Sequence, residues 1–178
     1  MRYHATAELA GRRFEDITVD VSFGGPPTTH PDMVRGLDLL GFAGIPPVEV
    51  PSLPLEQHVA EKVHAYTRTY GADEASTRVK DLIDLAMIAS SFDFLAGRLR
   101  QALRATFDAR ASHLMPAKLP PPPPEWRTPY RRMAGEVGLD PDVAVGYEQA
   151  RGFLDPVLAQ ELADDSRWDP AQQVWQPD

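Results

Sequence analysis

The feature that most constrains this chain is residues 79–89, which are apolar on almost every side of a helix with about 3.6 residues per turn. The apolar members are Val79, Leu82, Ile83, Leu85, Ala86, Met87, Ile88 and Ala89. A helix of this kind is mostly buried. Asp81 and Asp84 interrupt the pattern, and their spacing places them on one narrow side. Buried carboxylates need a partner or a metal, and Lys62 on the preceding predicted helix is one candidate partner.

Two interpretations of this acidic pair stay open at this point. In the structural one, Arg78, Lys80 and the two aspartates make salt bridges at a helix start, where acidic side chains suit the helix dipole. In the functional one, Lys62 and the aspartates form a chemical site. Spacing alone does not separate the two.

Composition limits the classes of protein that this chain can belong to. Its 178 residues fit one domain, or one domain with an appendage, and 43% hydrophobic residues can form a real core. The absence of cysteine excludes disulfides and thiolate metal sites. We find no long apolar run and no N-terminal signal pattern, so we expect a cytoplasmic protein. The net charge of −8 argues against non-specific coating of nucleic acid but leaves room for a local basic patch.

Residues 1–51 read as a small sheet region. Residues 2–9 and 13–23 alternate between polar and apolar side chains, which predicts an antiparallel hairpin with one buried face. That face would carry Ile17, Val19, Val21 and Phe23. Asp20 lies on the opposite face, where it is unremarkable in solvent but becomes a metal-ligand candidate if the face lines a cleft. We also expect a short strand near residues 37–43 and an edge strand at 47–51.

Residues 52–163 read as a helical bundle. The predicted helices cover about 54–70, 79–89, 93–110 and 126–137, followed by a last helix that Asp140 caps and that runs to about Leu162. A proline-rich strap, residues 116–125, interrupts them. Residues 164–178 read as a flexible tail, apart from what Trp168 and Trp175 hold in place. The order of a sheet followed by helices predicts an α+β fold.

Three segments resemble the AbiEii/AbiGii-type nucleotidyltransferase toxin family in their order and spacing. They are residues 19–23 (Val-Asp-Val-Ser-Phe), 61–65 (Glu-Lys-Val-His-Ala) and 78–85 (Arg-Val-Lys-Asp-Leu-Ile-Asp-Leu). The resemblance covers about residues 2–155 and implies a polymerase-β-like nucleotidyltransferase fold. It further implies a toxin of a bacterial toxin–antitoxin or abortive-infection (phage-defence) system with a cognate antitoxin. Such a toxin would use an NTP and Mg²⁺ to add a nucleotide to an RNA, which is tRNA for some members.

The resemblance also implies roles for individual residues. Carried over by position, Asp20 would be a metal ligand from the strand, and Lys62 would hold the triphosphate. Asp81 and Asp84 would form the acidic motif that acts with Lys62 in catalysis, while Arg78 and Lys80 would contact nucleotide phosphates. These types fit the chemistry, because carboxylates hold catalytic metals and cations neutralise a pyrophosphate leaving group.

One departure from the family bears on activity. The family begins with a Gly-Ser or Gly-Gly turn and an Asp-x-Asp strand, and before Asp20 this chain offers only Glu8, Glu15 and Asp16. We therefore expect a truncated chain that resembles only the C-terminal two-thirds of the family, from a shortened gene product or a start assigned too late. Such a chain would bind metal and nucleotide poorly and would expose a sheet edge. The alternatives are an inactive remnant, or an α+β module that binds an antitoxin or another partner.

Overall fold

The computed structural model describes residues 1–21, 30–68 and 78–177. The strands are β1 (Arg2–Leu9), β2 (Arg12–Asp20), β3 (Asp32–Arg35), β4 (Glu49–Ser52), β5 (Phe94–Leu95), β6 (Arg167–Asp169) and β7 (Val174–Gln176). The α-helices are α1 (Leu55–Thr67), α2 (Val79–Ser91), α3 (Ala96–Arg110), α4 (Arg127–Glu136) and α5 (Val143–Leu158). This arrangement confirms the predicted α+β class. In the described parts of the chain, no helix is long and apolar enough to cross a membrane.

Helix α2 is the centre of the bundle, as its sequence predicts. It contacts α1, α4 and α5, and α3 packs along α1. Its side chains are buried on nearly every side, including those of Val79, Leu82, Ile83, Leu85, Ala86, Ile88 and Ala89. Burying this much apolar surface is the main favourable term for the bundle, at roughly 25 cal/mol per Å². The partners of α2 are therefore fixed by the need to cover it.

The proline-rich strap is held by its ends and its carbonyl groups. Leu119 is buried, and its N–H donates to the Asp155 carboxylate of α5 at 2.8 Å. The Tyr66 hydroxyl donates to the carbonyl of Pro120, and the Tyr147 hydroxyl donates to that of Leu119. Proline has no N–H to donate, so hydrogen bonds to carbonyls are the ones that such a segment can make. The strap thus connects α1 to α5 across the surface of the bundle.

Helix α4 follows the strap and packs closely on α5. Tyr130 is buried, and any side chain at Gly146 would collide with its hydroxyl group. The start of α5 corrects one prediction. Asp142 caps the helix by accepting the N–H of Ala144 at 2.9 Å, whereas Asp140 accepts the N–H of Asp142 in the preceding turn. An aspartate two residues nearer to the helix is therefore the cap.

The predicted flexible tail, residues 164–178, contains two short strands instead. Strands β6 and β7 form a hairpin, and β6 pairs with β5 to make a three-stranded sheet. Trp168 is 1% exposed and donates its indole N–H to the carbonyl of Ala89 on α2. Trp175 donates to the carbonyl of Phe153 on α5 and stacks on the Phe153 ring. Trp168 and Trp175 therefore anchor the C-terminal hairpin to α2 and α5.

The N-terminal hairpin forms as predicted, but its predicted buried face is wrong. Strands β1 and β2 pair from Arg2 opposite Asp20 to Leu9 opposite Arg12. Ile17, Val19 and Val21 are all exposed, and Phe23 lies outside the described residues. The alternation gave the two faces of the hairpin correctly, but no other described element covers the apolar one.

The segment between this hairpin and α1 forms a second, separate hairpin. Strands β3 and β4 pair with each other, which agrees with a proline-framed strand near 47–51. The strand expected near 37–43 is wrong, because Gly41–Ala43 is a short 3-10 helix that ends at Gly44 in the left-handed conformation. None of the described residues before Leu55 belongs to the buried core.

Replacing Trp168 tests whether the C-terminal hairpin is part of the folded bundle. We expect Trp168→Ala to lower the free energy of unfolding by about 3–5 kcal/mol, since it removes a buried aromatic side chain. Phe14→Ala, at an aromatic position that is 72% exposed, should change it by no more than about 0.5 kcal/mol. Urea unfolding followed by circular dichroism measures both. Equal, small effects of the two variants would contradict the docked hairpin.

Candidate functional site

Lys62 is placed by the apolar stripe of α1. Val59, Val63 and Tyr66 are buried at helical spacing, and Lys62 lies beside them with a side chain that is 21% exposed. A lysine in this position can cover apolar surface with its stem and still reach a polar group with its ammonium. Because α1 packs against α2, that ammonium meets the acidic side of α2.

The Lys62 ammonium contacts both aspartates of α2. Its Nζ lies 2.5 Å from Asp84 Oδ2 and 3.6 Å from Asp81 Oδ1. Arg78, just before α2, donates from Nη1 to Asp81 Oδ2 at 3.0 Å. The Asp81 side chain is 11% exposed and that of Asp84 is 32% exposed, so Asp84 is the more open of the two. We call these four side chains the Lys62 cluster; the sequence-predicted contact between Lys62 and the acidic pair is confirmed.

Two other predicted site residues lie apart from the Lys62 cluster. Lys80 is exposed on α2 and makes no ion pair within the described residues. Asp20 ends β2, where the Arg2 guanidinium donates to both of its carboxylate oxygens at 2.7 and 2.8 Å. This hydrogen bonding from Arg2 lowers the pKa of Asp20. The metal-binding role of Asp20 and the phosphate-binding role of Lys80 stay predictions.

The donor set of the Lys62 cluster does not fit a resident divalent metal by itself. Mg²⁺ binds oxygen ligands, and a dedicated site uses carboxylates that are free to coordinate. Here, Asp81 and Asp84 both face the Lys62 ammonium, and Asp81 also accepts from Arg78. Residues 1–21, 30–68 and 78–177 contain no group of three or more acidic or histidine side chains that could hold a metal ion.

A histidine cluster between α1 and the end of α3 is a feature that sequence reasoning missed. The His64 ring is buried and packs edge-on against Phe107 at 5.0 Å. Its Nε2 lies 2.9 Å from Ser112 Oγ, and His113 Nε2 lies 2.9 Å from Thr67 Oγ1. The available signal was the spacing of Ala60, His64 and Thr67, which places all three on one side of α1.

Burial is the main cause that lowers the pKa of both His64 and His113 from the ordinary value of 6.5. His113, Arg110 and Arg68 also lower the pKa of His64, while Glu61 acts in the opposite direction. Arg110 and Glu61 form an ion pair beside the ring. Protonation of His64 would thus place a buried cation next to other cations.

The histidine cluster predicts a stability that depends on pH. Because the folded pKa values are depressed, the unfolded chain binds more protons below about pH 6.5, so the free energy of unfolding should fall as the pH drops through that value. Above about pH 6.5, the free energy of unfolding should no longer depend on these two histidines. Urea midpoints between about pH 8 and pH 5.5 measure this fall. His64→Gln should flatten the dependence, and His58→Gln, at an exposed position on the same helix, should not. An unchanged slope in His64→Gln would contradict this account.

The ion pairs of the Lys62 cluster predict a cost when the lysine is removed. Lys62→Met should lower the free energy of unfolding by about 1–3 kcal/mol, because two partly buried carboxylates lose their shared cation. The double variant Lys62→Met/Asp84→Leu should recover part of this loss. Lys80→Met is the control, since Lys80 is exposed. Urea unfolding checks all three, and a loss in Lys80→Met as large as in Lys62→Met would contradict the assigned contacts.

The fold and the Lys62 cluster define the class of protein: an α+β protein in which a lysine contacts two aspartates of a buried helix. The sequence model of the family described as "Nucleotidyl transferase AbiEii toxin, Type IV TA system" matches residues 1–164. The chain therefore belongs to this family of nucleotidyltransferase toxins of type IV toxin–antitoxin systems. A comparison with curated proteins gives no significant match.

Membership of the family carries three coarse implications. Its reaction involves a nucleoside triphosphate and, in general, a divalent metal. A type IV toxin–antitoxin system implies an antitoxin partner. The predicted resemblance to this family is thereby confirmed, while the restriction to the C-terminal two-thirds of the family stays a prediction.

Proposed function

We propose that this chain is a nucleotidyltransferase toxin that transfers a nucleotide from an NTP to an RNA acceptor, with tRNA among the candidates. The observation that carries the proposal is the Lys62 cluster, in which an ammonium and a guanidinium lie beside two carboxylates on the buried helix of a family member. The reaction needs cations for the phosphates and carboxylates near the reacting groups, and this cluster offers both.

Lys62 and Arg78 are the groups that would hold the triphosphate. Both form ion pairs with the aspartates of α2. A bound triphosphate would compete for these cations and would draw the Lys62 ammonium toward the phosphate oxygens. The pyrophosphate leaving group gains negative charge as the bond from the α-phosphorus to the bridging oxygen breaks, so a lysine placed there stabilises the transition state.

Asp84 is the carboxylate better placed to face the acceptor. It is more exposed than Asp81, and release of Lys62 toward the triphosphate would leave it uncompensated. It would then attract the proton of the attacking RNA hydroxyl, whose oxygen forms the new bond to the α-phosphorus. Asp81, which lies 3.6 Å from the Lys62 ammonium, would keep the lysine on this side of α2.

The test is a transfer assay on the 178-residue protein with labelled NTP, RNA and Mg²⁺. We expect Lys62→Ala and Asp84→Ala to abolish transfer, and Lys62→Ala to weaken NTP binding about tenfold or more, since it removes a charge-assisted contact. Lys118→Ala, at an exposed position outside the cluster, is the matched control and should behave as the unaltered protein. Transfer that survives Lys62→Ala in a folded protein would overturn the proposal.

A second candidate function is partner binding without catalysis. The specific observation in its favour is the apolar face of the N-terminal hairpin, where Tyr3, Ile17 and Val19 are exposed. Exposed apolar groups of this kind mark interaction surfaces. The antitoxin, or a separate polypeptide carrying an Asp-x-Asp strand, would be the partner.

The two functions differ in how they respond to Lys62→Ala and Ile17→Asp. A partner-binding module would lose antitoxin binding in Ile17→Asp and keep it in Lys62→Ala. A transferase would lose catalysis in Lys62→Ala. Co-purification with the antitoxin, together with the transfer assay, separates the two outcomes.

A further inference from the structure

A cavity of about 550 Å³ lies where the strap meets α4 and the start of α5. Its lining residues are Pro122, Pro123, Pro124, Arg127, Arg131, Pro141, Asp142, Val143, Ala144 and Tyr147. We call it the strap cavity. Its volume is within the range of small-molecule sites, and its walls are mostly apolar with two guanidinium groups.

Arg127 and Arg131 give the strap cavity its charge. They are four residues apart on α4, so their side chains share one face of the helix. Both are exposed, and neither forms an ion pair with any residue that the structure describes. The acidic lining residue, Asp142, is engaged in capping α5 through the N–H of Ala144. The cavity therefore presents two cations that lack a carboxylate partner in the described chain.

The remaining walls offer flat, weakly polar surfaces. The lining includes three prolines of the strap and the half-buried ring of Tyr147, whose hydroxyl donates to the carbonyl of Leu119. Aromatic rings such as that of Tyr147 are surfaces on which the bases of single-stranded nucleic acids stack. Guanidinium groups at the same place would meet the phosphates.

A second, smaller cavity shares one lining residue with the strap cavity and one with the Lys62 cluster. It has a volume of about 170 Å³ and is lined by Tyr66, Arg68, Arg78, Pro120, Pro121, Pro123 and Trp126. Pro123 lines both cavities, and Arg78 belongs to the Lys62 cluster. The Trp126 indole N–H is buried without a hydrogen-bond acceptor in the described structure. A buried donor of this kind is costly unless a ligand or water accepts from it.

We propose that the strap cavity binds the single-stranded end of the RNA acceptor, with backbone phosphates on Arg127 and Arg131 and a base against the prolines and Tyr147. The proposal rests on the proposed function, which supplies the need for an acceptor. The strand would continue past Pro123 and the smaller cavity toward Lys62 and Asp84. An acceptor fits better than the donor nucleotide, because Lys62 and Arg78 already supply the cations for a triphosphate beside the acidic helix.

The experiment measures RNA binding without NTP. Fluorescence anisotropy of a labelled single-stranded RNA of about ten nucleotides gives the affinity at several salt concentrations. We expect Arg127→Gln/Arg131→Gln to weaken binding about tenfold and to reduce the slope of log affinity against log salt by about 1.4, which corresponds to two lost phosphate contacts. Circular dichroism should show an unchanged fold, because both side chains are exposed.

Arg132→Gln is the matched control. It removes one positive charge from the same helix, as each of the two cavity substitutions does, but Arg132 lines neither cavity and has no ion pair with a described residue. We expect its affinity for RNA to stay within about twofold of the unaltered protein. If Arg132→Gln weakened RNA binding as much as the double variant does, the loss would come from general surface charge, and the proposal would be overturned.

Two further outcomes separate the possible occupants, and two more separate this proposal from the proposed function. Binding of free NTP, but not of RNA, that depends on Arg127 and Arg131 would make the cavity a donor site and overturn the proposal. Competition by an acidic peptide as effective as by RNA would overturn it in favour of a protein ligand. Unchanged kcat/KM for RNA in the double variant would overturn it while leaving the proposed transfer intact. RNA binding through both arginines without any transfer would instead overturn the proposed function.

Discussion

The structure depends on the burial of α2 with two carboxylates on one side. An apolar surface that extends almost round the helix must be covered by several partners, and α1, α4 and α5 provide that cover. The carboxylates impose a second condition, since a buried acid without a cation is costly. Lys62 meets this condition from α1 and Arg78 from the start of α2 itself. The rotation of α1 about its axis is therefore set by charge as well as by packing.

The helices were predictable from local periodicity, and Lys62 was a candidate partner of the aspartates because buried carboxylates need a counter-charge. Apolar spacing identified the buried side of α1 and the burial of α2, and the demand for a counter-charge pointed to Lys62. The exposed face of the N-terminal hairpin was not predictable in this way. Alternation shows that Ile17 and Val19 share a face, but it contains no information on what covers that face.

Two other features were missed for different physical reasons. The ring of His64 packs against the rings of Phe107 and His113 as a buried aromatic side chain would. Hydropathy treats histidine as polar and therefore does not predict its burial. Strands β6 and β7 have three residues each, which is too short for a period to be read. Their position depends on Trp168 and Trp175, and the carbonyls that accept from these indoles are distant in sequence. Long-range hydrogen bonds of this type leave no local pattern.

The placement of the three tryptophans has a consequence for spectroscopy. Trp168 and Trp175 lie in contact, with ring centroids 5.5 Å apart, so their excited states should couple and give a paired signal in circular dichroism. Trp126 is separate, at the smaller cavity and edge-on to Tyr66 at 5.6 Å. Intrinsic emission from Trp126 would therefore respond to occupancy beneath the strap, while the coupled pair would report the C-terminal hairpin. One unlabelled protein thus carries an optical probe for each region.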